Sequence, residues 1–245
     1  MDPDPLIFLY NYDDIRDREI AGLVASSLAY GRVSQIIKSV ELILNRMESP
    51  FEFIISNSSN SMAKAFKDFK HRFTSGDDIS RLLTGVKHAI KRFGSLENCF
   101  KSGIVQGDDT YMPALKNFVG ELRTNGKCGK CFILPCPSDG SACKRWNLYL
   151  RWMIRSDDID PGGWDLPTSK LLIPLDTHMH RLGLAMGFTE RKQADLKTVL
   201  EITDMFRRIN PHDPVRYDFC LTRLGIRNDS STSSFLNRLK MKEVA

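Results

Sequence analysis

The chain has 245 residues, 42% of them hydrophobic and 27% charged, with a formal net charge of +5. That length can bury a sizeable core without help from an oligomer, and no apolar run reaches the roughly 18 to 20 residues that cross a bilayer, which excludes a helical membrane protein. The opening Met1-Asp-Pro-Asp-Pro5 carries acids where an export signal carries Lys or Arg, so the expectation is a cytoplasmic monomer.

Hydrophobic residues recur with a period of about 3.6 and alternation is nearly absent, so the expected fold class is all-α. Residues 18–29 place Ile20, Leu23, Val24 and Leu28 on one stripe, and residues 33–47 repeat the pattern with Ile36, Ile37, Val40 and Leu44. Pro50 breaks the pattern and 56–61 is polar. Residues 62–73 and 77–93 are read as two further amphipathic helices, the second with Asp77 and Asp78 in its first turn and Lys91 and Arg92 in its last, as the helix dipole favours. Gly94-Ser95 ends it, a Gly-rich break follows at 103–107, and 111–122 supplies another helix. Residues 125–141, rich in Gly, Pro, Cys and Ser, are read as a structured loop. Helix resumes over 142–155, stops at Pro161-Gly-Gly163 and restarts at Asp176, a carboxylate standing as an N-cap before an apolar-periodic segment. Later helices are expected over 189–208, over 213–224 with Asp213-Pro214 as cap and first-turn proline, and over 232–240. This is one large domain or two helical lobes that share a cleft.

Charge is unevenly placed. Residues 1–120 hold 15 Lys/Arg and 15 Asp/Glu and residues 121–245 hold 20 and 15, so the surplus lies wholly in the second half, where phosphate contacts are to be sought. Four of the six cysteines, Cys128, Cys131, Cys136 and Cys143, fall within 16 residues. Paired thiolates two residues apart can share zinc or an iron–sulfur cluster, but this spacing matches no common site, and free thiols with no cofactor are the expectation.

Two residues carry candidate chemistry. Lys144 falls in the first turn of a helix, beside the positive end of its dipole, which disfavours an ammonium there. A neutral amine is what attack on a sugar carbon or Schiff-base formation requires. Asp176, held as an N-cap, is a directed carboxylate able to stabilise developing positive charge or accept a proton. The loop with Gly140 and Ser141 entering a helix offers backbone N–H groups to a phosphate, with Arg145 beside it. His178 and His180 stand two apart on the Asp176 helix and point to different faces, so a shared metal is not expected. Trp146, Tyr149 and Trp152 lie on an apolar helix, where packing is the ordinary role and stacking on an extruded base the alternative one.

Leu175-Asp-Thr-His-Met-His-Arg-Leu-Gly183 resembles the motif of the helix-hairpin-helix DNA glycosylase superfamily, and Leu134-Pro followed by Gly140-Ser-Ala-Cys-Lys144 resembles the hairpin that precedes it. The resemblance implies a catalytic Asp176 and, as in bifunctional members, a nucleophilic Lys144. The hairpin is longer than usual, and the 32-residue step from Lys144 to Asp176 resembles the archaeal 8-oxoguanine glycosylase branch. Residues 21–32 look like the superfamily's early helix, with Tyr30-Gly-Arg32 where many members place a glutamine that fills the gap left by a flipped base. A late helix commonly lines the base pocket, which points to Tyr217, Asp218 and Phe219, with Trp146 as the stacking candidate. The superfamily's iron–sulfur cysteines follow the aspartate, whereas these precede it. Residues 17–23, 29–32, 140–145, 150–153, 174–178 and 213–219 together also resemble an uncharacterised bacterial family. The implied reading is one glycosylase-like unit over 1–245 with its chemistry in about 125–186. It would be a DNA repair glycosylase with AP-lyase activity on a damaged duplex, an oxidised purine being the first candidate lesion. A non-catalytic DNA- or RNA-binding protein on the same scaffold, or an enzyme using the lysine on another carbonyl, is the alternative.

Overall fold

The computed structural model describes residues 4–123 and 132–224. A 3-10 helix, Pro5–Asn11, leads into α1 (Ile15–Ser27), α2 (Val33–Leu44), α3 (Pro50–Ser56) and α4 (Ser59–Phe66). Strands β1 (Lys70–His71) and β2 (Thr74–Ser75) form an antiparallel hairpin that pairs Lys70 with Ser75 and His71 with Thr74. Helices α5 (Gly76–Phe93), α6 (Leu96–Lys101), α7 (Met112–Leu122) and α8 (Lys144–Ile154) follow. The series ends with α9 (Thr177–Ala185), α10 (Leu196–Ile209) and α11 (Asp218–Leu224). Among the described residues the fold is therefore helical apart from one hairpin, and no helix is long and apolar enough to cross a membrane.

One continuous apolar core runs from Leu6 to Leu221. Helix α1 is its axis, buried on every side over residues 19–27 because the first 3-10 helix, α3, α6 and α8 all pack on it. At Gly22 a Cβ would stand 3.2 Å from Leu9 and 3.4 Å from Met153 and Tyr149, so the absent side chain is what lets α8 approach α1 this closely. A buried acid lies against α6 in this core. Glu19 accepts from the backbone N–H groups of Leu96 (2.9 Å) and Glu97 (3.1 Å) and from the Trp164 indole (3.1 Å), thereby capping α6 from outside. Burial pushes its carboxyl up to about 7 despite those donors. Glu19→Gln turns an amide NH2 toward a donor and is expected to cost about 2 kcal/mol, read as a lowered urea midpoint with the native helical content unchanged.

The elements depart from the sequence expectation where local hydrogen bonds compete with helix. Residues 62–73 are not one helix: α4 stops at Phe66, and the Tyr30 hydroxyl draws the next segment into the hairpin by donating to the His71 carbonyl (2.8 Å) and bonding the Thr74 hydroxyl (2.7 Å). Pro50 opens α3 instead of breaking the chain, with the Ser49 hydroxyl accepting from the Glu52 N–H (3.3 Å), and Ser95 likewise starts α6. Residues 189–195 stay irregular, and Asp195 caps α10 by accepting from the Thr198 N–H (3.0 Å). Asp213 caps nothing, because its carboxylate accepts from the Arg155 guanidinium (2.9 Å); α11 begins only at Asp218. The helix expected over 232–240, and Cys128 and Cys131, lie outside the described residues.

Candidate active site

The segment before α8 is tightly folded. Pro137–Asp139 make a 3-10 turn, Gly140 takes φ 71°, and the Gly140 carbonyl accepts from the Leu196 N–H (3.2 Å), tying the loop to the start of α10. Cys143, the N-cap of α8, stands at φ 50° and ψ 30°, a left-handed conformation that costs a non-glycine residue about 1 kcal/mol or more. Its side chain is anchored in the core, where burial pushes the thiol up to about 12 and keeps it neutral. The strained turn thereby sends Cys143 and Trp146 inward and leaves Lys144, between them, on a cleft.

That cleft, about 1340 Å³, lies between the Tyr30–Gly31–Arg32 turn, the first turns of α8 and α9, and the start of α11. Lys144 and Asp176 both line it. The Asp176 side chain caps α9 by accepting the Met179 N–H on Oδ1 (2.8 Å), and its Oδ2 has no hydrogen-bond partner among the described residues. The cap thus fixes the carboxylate's direction and leaves one oxygen for a ligand. No side chain caps α8, so its first-turn N–H groups begin at Lys144 without that competitor.

Beneath the cleft lies a buried ionic network that sequence reasoning missed. Lys144, Leu148, Arg151 and Arg155 recur at helical spacing along one face. Arg151, 3% exposed, bonds Asp218 through Nη1 and Asp160 through Nη2 (2.9 Å) and Nε (3.2 Å). Arg155 in turn bonds Asp160, Asp157 (2.6 Å) and Asp213 (2.9 Å). The chain of pairs locks α11 and the 157–160 turn onto α8. Asp218 lines the cleft; its Oδ2 is held by Arg151, and its Oδ1 is buried with no hydrogen-bond partner among the described residues. Burial pushes the Asp218 carboxyl up to about 6 against the pull of Arg151, and the neighbouring Asp176 charge adds to the push. A single arginine within the apolar run 148–154 was the available signal, since a cation there requires buried acids.

The other expected site residues divide. Arg32 is exposed at the cleft edge, and Ser141, Tyr30 and Phe219 also line the cleft. Arg145 lines it but turns its guanidinium inward, donating to the carbonyls of Ser27 (2.8 Å) and Phe132 and lying over the rings of Phe132 (4.7 Å) and Tyr30 (5.4 Å); it fastens the segment at Phe132 to the end of α1. Gly140 does not line the cleft, and its N–H goes to the Pro137 carbonyl (3.2 Å), so the expectation of a free phosphate donor there is corrected. Trp146 is no stacking platform: it is 2% exposed, packs edge-on to Phe118 and donates its indole N–H to the Pro135 carbonyl (2.9 Å). Tyr217 is 39% exposed and lies off the cleft, one residue before the inward-facing Asp218. His178 lines the cleft while His180 bonds the Arg191 carbonyl (2.8 Å), the divergence expected of their spacing.

Comparison with known proteins adds one relationship. Residues 4–227 match a family described as a protein of unknown function (DUF2400). No curated protein and no solved structure matches the chain. The match takes in every cleft residue named above, and on it the chain belongs to the DUF2400 family.

Proposed function

We propose that the chain is a DNA base-excision glycosylase with lyase activity, Lys144 being the nucleophile and Asp176 its partner. The observation that carries this is the convergence of the two residues on one cleft, with one oxygen of Asp176 committed to its cap and the other unassigned. The resemblance of segments 134–144 and 175–183 to the helix-hairpin-helix glycosylase motif supports it. In this reading a damaged nucleotide turns out of the duplex into the cleft at a cost of a few kcal/mol. The Lys144 amine attacks C1′, the glycosidic bond breaks with its electron pair leaving on the base, and Asp176 stabilises the cation-like sugar and takes a proton from the amine. Ring opening gives a Schiff base. Loss of the C2′ proton then expels the 3′ phosphate, and hydrolysis frees Lys144. Leu148 and Phe219 offer apolar walls to the base. An oxidised purine is the first candidate for that base. Arg32 and the start of α8 face the phosphates.

Borohydride reduction in the presence of abasic and lesion duplexes is the test. The wild-type chain is expected to yield a covalent adduct that Lys144→Ala abolishes, because only an imine is captured. Absence of an adduct on every duplex, or equal trapping by Lys144→Ala, sinks the proposal. Salt-dependent DNA binding without any adduct would instead assign the cleft to a non-catalytic binding protein.

A further inference from the structure

The β1–β2 hairpin presents an aromatic ring to solvent beside the cleft. Phe73 is 70% exposed, the most exposed large apolar side chain among the described residues, and it sits at the hairpin tip next to Arg72, whose backbone is left-handed at φ 50°. The base of the hairpin is clamped. His71 is 3% exposed, with its Nδ1 on the Ser39 hydroxyl (2.9 Å) and its Nε2 on the Tyr30 carbonyl (3.1 Å), and the Tyr30 hydroxyl holds both strands. The tip is therefore a fixed projection whose ring the fold does not cover.

The ring also stands in line with the cleft. Phe73 meets Phe132 edge to face at 5.7 Å, and Phe132 meets Tyr30 at 5.0 Å. Both Phe132 and Tyr30 line the cleft. Arg145, beneath those two rings, braces the row from inside. Around the tip, Lys70, Arg72 and Arg32 are exposed; the Arg72 guanidinium lies over the Phe73 ring, 5.6 Å from its centre, and none of the three side chains makes a hydrogen bond or ion pair with the described residues. Arg72 lies across Gly31, where a Cβ would come within 2.8 Å of its guanidinium, so the cation is carried over the same turn that bounds the cleft.

An exposed ring at the end of an aromatic row, flanked by cations that make no ion pair with the described residues, matches a stack of bases edged by phosphates, and it offers too little apolar area for a stable protein interface. We propose that Phe73 is a wedge that enters the base stack of duplex DNA beside the nucleotide held in the cleft, with Lys70, Arg72 and Arg32 on the flanking phosphates. This rests on the DNA reading above but not on its chemistry.

The test uses a duplex with a tetrahydrofuran residue, an abasic mimic that has no aldehyde and forms no imine, and with 2-aminopurine opposite or beside it. Insertion is then read whether or not Lys144 turns over. Saturating wild-type chain is expected to change the 2-aminopurine fluorescence. Phe73→Ala is expected to bind about tenfold more weakly and, at saturation, to leave the fluorescence at its free-duplex value. Phe73→Leu, which keeps an apolar wedge, restores the signal, and Arg72→Ala lowers the salt slope of binding by about one. A fluorescence change that persists in Phe73→Ala overturns the wedge, as does wild-type chain that fails to bind the duplex or prefers single-stranded RNA. Imine trapping without a fluorescence change removes the wedge alone, and a fluorescence change without trapping removes only the lyase.

Discussion

Arg151→Met is expected to destabilise the fold by about 3 to 5 kcal/mol at pH 8 and by less at pH 5. The substitution leaves a side chain of similar length in place, so the loss is electrostatic: Asp218 and Asp160, 2% and 0% exposed, lose the guanidinium they share. The sign with pH follows from proton binding. The Asp218 carboxyl is held near 6 in the folded chain against 3.8 when free, so across that window the folded state binds more protons than the unfolded state, and stability falls as pH rises. Arg151 is the group that pulls this value down. Without it the window extends upward, and the variant loses ground on the wild type steadily between pH 5 and 8. Urea midpoints at the two values check this. Equal losses at both would mean that packing, not charge, is what Arg151 supplies. Arg151→Met with Asp218→Asn is expected to recover part of the deficit, since one stranded charge is gone.

The same network shows where reading the residues in order stopped short. Asp176 was legible as an N-cap because capping is local: a carboxylate, then an apolar period, within one turn. Lys144 was legible as a first-turn residue for the same reason. Arg145 was not, because its partners, the Ser27 and Phe132 carbonyls, lie 118 and 13 residues away and nothing in the intervening chain announces them. The pairing of Arg151 with Asp218 spans 67 residues and was equally hidden. Trp146 and Lys144 share a turn yet go opposite ways, and the left-handed backbone at Cys143 that sets the start of α8 leaves no mark on hydrophobic periodicity.

The helices follow a similar division. Residues 111–122 and 77–93 were readable almost to the residue because their caps and their apolar stripes agree; α5 even closes a capping box between Ser75 and Asp78. The stretch 62–73 misled because Phe66, Phe69 and Phe73 fit a helical stripe, whereas only Phe66 and Phe69 are buried and Phe73 projects from a turn. A tertiary bond, from the Tyr30 hydroxyl, decides that segment. Asp213 misled because a longer-range cation, Arg155, takes the carboxylate that would have capped a helix.

Asp176→Asn is expected to slow excision by about 10²- to 10⁴-fold while leaving stability within about 0.5 kcal/mol of the wild type. The two expectations separate the residue's roles. Asparagine keeps an oxygen for the Met179 N–H and caps a helix about as well as aspartate, so α9 stays anchored and Lys144 stays where it is. What disappears is the negative charge on the oxygen that has no hydrogen-bond partner among the described residues, the charge that in this reading stabilises an electron-poor sugar. Single-turnover excision on whichever lesion duplex traps the wild-type chain gives the rate, and Asp176→Ala, which also forfeits the cap, is expected to lose about 1 kcal/mol of stability in addition. A second readout reaches the cleft without substrate. The Asp176 charge helps hold the Asp218 carboxyl up at about 6, so the Asp218 titration followed by carboxyl NMR is expected to move to lower pH in Asp176→Asn. Full excision by Asp176→Asn would reduce the residue to its cap and leave the charge-stabilising role to another group on the cleft.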